Sequence, residues 1–325
     1  MRSRSGLVWH SNGPGHDTYF MADPPTSRSV RAVIRRVARR LKRANVHFGH
    51  GTDNPRDEAA WLVGSVLKLS PQELEPHLKD ELNPTQQAAI DSLMELRIST
   101  RKPLAYLLRE AWFAGLKFYV DERVIVPRSL TGEYIMARFH PWVEPARVHR
   151  ILDLCTGSGC MAVALAHAFP DARVEAADIS DAALAVARLN VENHALRDRV
   201  QLMQSDLFDG LPGSRYDLIV TNPPYVARAE MKSLPPEYRH EPALALDAGP
   251  EGLDVVMRIL TEALAHLNSD GILVGEVGNS AATLQNKFPS IPFTWLTSET
   301  GDESVFLLSR GASASWRKSL VARHE

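Results

Sequence analysis

The sequence has little cysteine, no strong excess of either charge and no long apolar run. Its 325 residues include two cysteines, Cys155 and Cys160, close together in one glycine-rich segment, which argues against the disulfide framework of a secreted protein. A net charge of −2 supplies no global basic field that would attract nucleic acid or an anionic membrane. No apolar stretch approaches the ~18 residues of a membrane-spanning helix. We therefore expect a cytoplasmic globular protein.

The N-terminal stretch is expected to be a disordered tail over residues 1–27. It contains arginines but lacks the continuous apolar core of a signal peptide. Met21 begins a more protein-like stretch, so Met1 and Met21 are both candidate start residues. The remaining length, with 44% hydrophobic and 23% charged residues, is enough for two domains.

Residues 28–110 have the pattern of a small helical domain. Apolar residues from Val30 to Leu41 recur at three- and four-residue steps, which places them on one face of a helix. Asn54, Ser70 and Asn83 are each followed by proline, a pattern typical of a capped helix start. Three further helices are therefore predicted.

The opposite face of the first helix is basic, and no acid occurs in its span. A solvated helix face is the simpler interpretation, and a contact surface for RNA or a ribosomal assembly particle is the alternative. His47 and His50 follow this helix without cysteine or carboxylate partners in a ligand pattern, so we predict no metal site. The basic residues are Arg28, Arg31, Arg35, Arg36, Arg39, Arg40, Lys42 and Arg43.

Residues 111–127 should form a β-hairpin linker. Aromatic and β-branched residues surround Asp121 and Glu122, which predicts a hairpin joining the helical domain to the next domain. The stretch that follows Pro127 should begin a helix.

Residues 128–310 alternate between strand and helix patterns. The strands RILDLC, RVEAAD, VQLMQSD, YDLIVTN and GILVGEV predict a mostly parallel sheet with helices on both faces. The last two strands, FTWLTSE and ESVFLLSR, are separated by a tight turn around Gly301 and Asp302, so they should pair as an antiparallel hairpin. This α/β arrangement differs from the usual dinucleotide-binding sheet. Residues 311–325 are expected to be a C-terminal tail.

The first strand-to-helix turn, DLCTGSGC, has the character of a nucleotide-binding loop. Gly157 and Gly159 allow the backbone to approach a ligand closely, and Asp178 at the end of the next strand can accept both ribose hydroxyls. With Ala162 in third place, the pattern also fits the dinucleotide fingerprint G-x-G-x-x-A. It therefore predicts an adenosine-type ligand without selecting one.

The ends of the next two strands distinguish a dinucleotide from other adenosine-type ligands. Asp206 in SDLF can accept a hydrogen bond from an adenine amine, and the following strand ends on NPPY. If the crevice holds S-adenosylmethionine, the side-chain oxygen of Asn222 and the carbonyl of Pro223 can accept both hydrogens of a planar NH2. The two prolines donate nothing and fix the loop, and Tyr225 can stack on the flat group.

These motifs match a family. DLCTGSGC, Asp178, SDLF and NPPY resemble the class I S-adenosylmethionine-dependent methyltransferases that act on planar amino groups. Within that class, RKPLAYLL, FAGLKFYVDERVIVPR and EPALALDAGPEGLD resemble the protein N5-glutamine methyltransferases over about residues 28–310. The resemblance implies a class I methyltransferase Rossmann-like sheet, S-adenosylmethionine as the cofactor, and a helical domain that helps to recognise a protein substrate.

Two branches of the family modify different substrates. FGHGTDN, VPRS and CTGSGC are similar to the branch that modifies large ribosomal subunit protein three, whereas the other branch modifies peptide-chain release factors. Leu207 departs from the tryptophan often found there in the release-factor branch. A nucleic-acid amino-methyltransferase, a non-catalytic assembly factor that binds the cofactor, and a dehydrogenase are the remaining alternatives.

The predicted site residues fall into three groups. The catalytic residues are Asn222, Pro223, Pro224 and Tyr225. The cofactor-binding residues are Asp153, Thr156, Gly157, Ser158, Gly159, Asp178, Ile179, Asp206, Leu207 and Asn222. Arg128 and Glu133, in the linker motif of the family, are further candidates.

Overall fold

A computed structural model describes residues 27–312 and residue 316 of the chain. The tail expected over residues 1–27 and the candidate starts Met1 and Met21 lie outside the described residues, except for Ser27. Most of the tail expected over residues 311–325 also lies outside them. Trp316 is described: it is fully buried, and its indole Nε1 donates to the Leu260 carbonyl at 3.0 Å.

The N-terminal domain is helical, and the predicted caps begin its helices. The Asn54 side chain accepts hydrogen bonds from the backbone of Arg56 and Asp57, and Asn83 forms a capping box with Gln86. These caps satisfy backbone donors that a helix start would leave unpaired. The helices are α1 (Val30–Arg43), α2 (Pro55–Leu67), α3 (Pro71–Leu74), α4 (Pro84–Thr100) and α5 (Leu104–Leu108).

The basic face of α1 lies partly against acids of α4. Arg36 pairs with Asp91 at 2.9 Å, and Arg40 pairs with Glu95 at 2.5 Å. The sequence showed no acid opposing these arginines because both acids come from a helix more than 50 positions away. The basic surface is therefore narrower than the sequence predicts.

The linker hairpin forms earlier in the chain than expected. Strands β1 (Ala111–Phe113) and β2 (Leu116–Phe118) pair antiparallel around Ala114 and Gly115, which both adopt positive φ. The prediction that centred the hairpin on Asp121 and Glu122 is wrong. Asp121 instead begins a turn: its carbonyl accepts from the Val124 amide, and its carboxylate accepts from the backbone and side chain of Arg123. The short helix α6 (Thr131–Met136) follows.

The C-terminal domain contains the predicted sheet. The strand order is β5-β4-β3-β6-β7-β9-β8; the first five strands are parallel, and β9 pairs antiparallel with both β7 and β8. The antiparallel terminal hairpin and the α/β fold class are confirmed. The strands are β3 (Arg150–Leu154), β4 (Arg173–Asp178), β5 (Val200–Gln204), β6 (Tyr216–Thr221), β7 (Leu267–Glu276), β8 (Thr294–Leu296) and β9 (Val305–Ser309).

Helices cover both faces of this sheet. Helices α6 and α7 (Cys160–Ala168) pack on one face, while α9 (Asp254–His266) and α10 (Ala281–Lys287) pack on the other. Helix α8 (Asp181–Asn193) contributes Ala183 and Val186 to the core of the N-terminal domain, so the two domains share apolar packing. No helix among residues 27–312 is long and apolar enough to cross a membrane.

Candidate active site

One cleft collects side chains from the carboxyl ends of β3, β4, β5 and β6. Parallel strands bring these ends to one edge of the sheet, where ligands bind in open α/β folds. The predicted residues that line the cleft are Gly157, Asp178, Ile179, Asp206, Leu207, Asn222 and Pro224.

The turn after β3 contains two glycines with left-handed backbone conformation. Gly157 has φ +53° and a Cβ there would meet nothing within 4 Å, so its missing side chain leaves room on the cleft side. Gly159 has φ +77°, and its Cβ would lie 3.1 Å from the Cβ of Ala187 on α8. The first glycine thus opens the cleft, and the second lets the turn pack on α8.

Asp178 orders this turn as well as facing the cleft. One carboxylate oxygen accepts from the Gly157 amide at 2.8 Å, and the other accepts from the Ser180 amide at 2.9 Å. Burial raises the pKa of the Asp178 carboxyl, and these backbone hydrogen bonds act against the rise. Each oxygen keeps a further lone pair, so a ribose with two hydroxyls fits this carboxylate.

Three of the predicted cofactor residues support the turn from below. Asp153, Thr156 and Ser158 are buried and are not among the described residues that line the cleft. Thr156 Oγ1 donates to Asp153 at 2.6 Å, and the Asn190 amide donates to the Ser158 carbonyl at 2.8 Å. Burial raises the pKa of Asp153 to about 7.

Asp206 has a partner that sequence reasoning missed. Arg258 of α9 lines the same cleft, and its guanidinium donates to Asp206 at 2.9 Å. Asp206 is 44% exposed, so this pair leaves part of the carboxylate open to the cleft. Leu207 is buried at φ +51°, where it closes the floor beside Asp206.

The NPPY loop presents an unpaired acceptor. Asn222 Oδ1 is buried and accepts no hydrogen bond from any described residue. A buried polar atom without a partner is unfavourable, so such an atom in a cleft points to a ligand donor. Pro224 lines the cleft, and Pro223 is buried behind it.

Tyr225 is held against the exit of β7. A Cβ on Gly278 would lie 2.5 Å from the Tyr225 ring, and Ser280 Oγ donates to the Tyr225 carbonyl at 3.0 Å. Gly278 is therefore required for the ring to sit here. Tyr225 is not among the described residues that line the cleft, so its stacking on the planar acceptor group stays a prediction.

Two further segments form one side of the cleft, and sequence reasoning did not assign them. Residues 123–125 of the linker line it, as do Pro242, Leu244, Ala245 and Asp247. The available signal was the family stretch EPALALDAGPEGLD, which contains the second segment. That segment is joined to the NPPY loop, because Val226 exchanges backbone hydrogen bonds with Leu246 and Ala248.

The additional candidates Arg128 and Glu133 lie apart from this lining. Both terminal guanidinium nitrogens of Arg128 donate to Glu241, at 2.5 and 2.8 Å. Glu133 accepts from the Glu299 amide at 3.2 Å, and burial raises its pKa. Neither side chain is placed among the described residues that line the cleft.

His47 and His50 both pack against the Tyr238 ring at tilted angles. The rings of His50 and Tyr238 have centroids 4.5 Å apart. Burial lowers the pKa of His50, which favours the neutral ring. Within residues 27–312, no group of three histidine, cysteine or carboxylate side chains is arranged to hold a metal ion.

The fold and the cleft together define a class I S-adenosylmethionine-dependent methyltransferase. The open glycine turn, the spare lone pairs of Asp178 and the unpaired Asn222 oxygen fit an adenosine cofactor beside an N–H donor. The family profile "Methyltransferase small domain" matches residues 140–234, and "PrmC N-terminal domain" matches residues 32–108.

Relatives extend over most of the chain. A ribosomal protein uL3 glutamine methyltransferase of Burkholderia pseudomallei is 46% identical over 88% of this chain and 95% of its own length. Proteins of the same description from Neisseria gonorrhoeae and Bordetella pertussis are each 46% identical over 87% of this chain and cover 94% and 95% of their own lengths. The chain belongs to the ribosomal protein uL3 glutamine methyltransferase family.

Proposed function

We propose that this enzyme transfers a methyl group from S-adenosylmethionine to the side-chain amide nitrogen (N5) of a glutamine in ribosomal protein uL3. The observation that carries the proposal is the buried, unpaired Oδ1 of Asn222 at the end of β6. An acceptor oxygen in that position suits a substrate that brings an N–H.

A glutamine amide is a weak nucleophile because its nitrogen lone pair is delocalised. Asn222 Oδ1 and the Pro223 carbonyl accept its two N–H groups and aim the nitrogen at the cofactor. S-adenosylmethionine supplies the methyl group when it is bound in the cleft. One N–C bond forms, the S–C bond breaks, and the nitrogen releases one proton. Both acceptors also stabilise the positive character that develops on nitrogen during attack.

Residues typical of the uL3 branch support this choice of substrate. His50 and Thr52 of FGHGTDN are buried, and His50 Nε2 lies 3.5 Å from Glu241, which directly precedes the cleft residue Pro242. Ser129 of VPRS donates to Glu276 at 2.5 Å, at the end of β7 beside the NPPY loop. The relatives described above carry uL3 glutamine methyltransferase in their names.

We place the enzyme in the cytoplasm, with uL3 presented free or in an assembling large subunit. Cys155 and Cys160 are free thiols, which suits a reducing compartment. Arg39, Lys42 and Arg43 remain exposed at the end of α1, where they form a compact basic surface suited to ribosomal RNA.

The proposal is tested by offering one enzyme preparation three acceptors. Methyl-labelled S-adenosylmethionine is incubated with purified uL3, a peptide-chain release factor or duplex DNA. We expect label in uL3, and about a hundredfold less or lower still when Asn222→Ala replaces the wild type for the same time. Label in the release factor alone would overturn the substrate but not the reaction, and label in DNA alone would overturn both. Cofactor binding without label in any acceptor would support an assembly factor.

A further inference from the structure

The segment that follows the NPPY loop has two functional faces. Residues 236–247, here the wall segment, contain two short 3-10 turns, Pro236–His240 and Ala243–Ala245. Its front face lines the cleft and presents Leu244, which is 59% exposed and would be covered by a ligand. Short turns of this kind have few internal hydrogen bonds, so contacts to other elements must fix their position.

The back face of the wall segment carries two buried carboxylates. Glu237 and Glu241 each have a side chain that is 0% exposed. Glu237 accepts from the His47 amide at 2.9 Å and from Arg97 at 3.3 Å, which attaches the segment to the helical domain. A buried carboxylate is tolerated when it is paired and hydrogen-bonded, so these contacts are structural requirements.

Glu241 makes the more specific connection. One carboxylate oxygen accepts from the Val126 amide at 2.9 Å and from Arg128, and the other accepts from Arg128 at 2.8 Å. His50 Nε2 lies 3.5 Å from the second oxygen. Burial acts to raise the pKa of Glu241, but Arg128 and His50 outweigh it and hold the pKa at about 2. The carboxylate is therefore ionised whenever the protein is folded near neutral pH.

The Glu241–Arg128 pair lies directly beside two segments that line the cleft. Glu241 directly precedes Pro242, which lines the cleft, and Val126 directly follows Ile125, which also lines it. Among the described residues, neither Glu241 nor Arg128 lines the cleft itself. The bidentate pair therefore fixes one lining segment against the other from behind.

We infer that Glu241 and Arg128 are positioning residues that set the affinity of the cleft for S-adenosylmethionine without touching it. The two-pronged geometry matters, because a guanidinium holds both carboxylate oxygens in one plane and so fixes orientation as well as distance. The inference rests on the proposed placement of the cofactor in this cleft.

The pair formed by Glu241 and Arg128 is here called the clamp. The test compares cofactor binding in two clamp variants and one matched control. Glu241→Gln keeps the size of the side chain but removes its charge, and Arg128→Lys keeps the charge but removes the fork. Glu175→Gln is the control, since Glu175 is a partly buried carboxylate that also binds an arginine, Arg150 at 2.7 Å, and neither residue is among the described residues that line the cleft. Calorimetry measures the Kd for S-adenosylmethionine in the absence of protein substrate.

We expect Glu241→Gln to raise this Kd by about ten- to a hundredfold, as when a residue supporting a positioned group is lost. Arg128→Lys should give a smaller increase, and Glu175→Gln should leave the Kd unchanged. At saturating S-adenosylmethionine, kcat of both clamp variants should approach that of the wild type, because the defect lies in binding.

Two results would overturn the inference: wild-type Kd in both clamp variants, or an equal loss of affinity in Glu175→Gln. If Glu241→Gln fails to fold, Arg128→Lys decides the question alone. Asp178→Ala separates this failure from that of the proposed function. An unchanged Kd in Asp178→Ala would mean that the cofactor does not occupy the cleft. A raised Kd in Asp178→Ala, together with a wild-type Kd in both clamp variants, would refute only the role of the clamp.

Discussion

Replacing Asn222 by alanine should separate catalysis from stability. Oδ1 of Asn222 is buried and unpaired among the described residues, so the folded enzyme already bears the desolvation of this oxygen. Such a group costs roughly 1–3 kcal/mol. The alanine variant is relieved of this term but loses some packing, and its unfolding free energy should therefore stay close to that of the wild type.

Catalysis should respond very differently. Loss of one preorganised transition-state partner lowers kcat by about 100- to 1000-fold, or roughly 2.7–4 kcal/mol. Cofactor affinity should change little, because Gly157, Asp178 and Asp206 remain in place. Asn222→Asp keeps an acceptor oxygen but adds charge beside the sulfonium, so partial activity is expected.

The assay is single-turnover transfer from labelled S-adenosylmethionine, with Kd from calorimetry and stability from chemical denaturation. Asn190→Ala is the control, since Asn190 is a buried amide whose three hydrogen bonds, two to Tyr119 and one to Ser158, are all made. Its alanine variant should lose about 2 kcal/mol or more of stability. Near-wild-type turnover in Asn222→Ala, with the fold intact, would refute the role of the amide.

Three further predictions concern the cofactor, pH and the basic surface. Asp178→Ala should weaken S-adenosylmethionine binding by about 1.5–3 kcal/mol in calorimetry; unchanged affinity would remove this carboxylate from the site. Asp153→Asn should stabilise the cofactor-free protein increasingly as pH rises from 3.8 to about 7, because over that window the unfolded wild type releases the Asp153 proton while the folded wild type retains it, which lowers wild-type stability. Urea titrations should show a gain of roughly 4 kcal/mol at the upper end, and a gain independent of pH would contradict the assignment. Replacing Arg39, Lys42 and Arg43 by glutamine should raise KM for the native substrate and flatten the salt dependence of KM. An unchanged KM and salt dependence would mean that these residues form a solvated helix face without a role in substrate binding.

Local signals predicted the parts of the fold that depend on neighbouring residues. The caps at Asn54 and Asn83, the strand that ends at Asn222 and the glycine turn could all be recognised, because each depends on a few adjacent side chains. The position of the linker hairpin could not. Ala114 adopts a positive φ, which an alanine in the sequence does not predict. The aromatic residues around Asp121 favoured the wrong position for the turn.

The remaining features depend on partners distant in sequence. Glu241 and Arg128 are 113 positions apart, and no local pattern identifies them as a pair. The pairing of Arg36 with Asp91 likewise reduces a basic face that looked unopposed in sequence. Residues at strand ends could therefore be assigned to the cleft, while the network that positions them required the folded chain.

The most direct test of glutamine methylation is to locate the transferred methyl group. uL3 is incubated with the enzyme and S-adenosylmethionine, digested and sequenced by tandem mass spectrometry. The proposed function predicts a mass gain of one methyl group on a glutamine side chain, recovered as N5-methylglutamine after enzymatic hydrolysis and greatly reduced with Asn222→Ala. Methylation of a lysine, arginine or terminal amine instead would contradict the central claim that this cleft orients a planar amide.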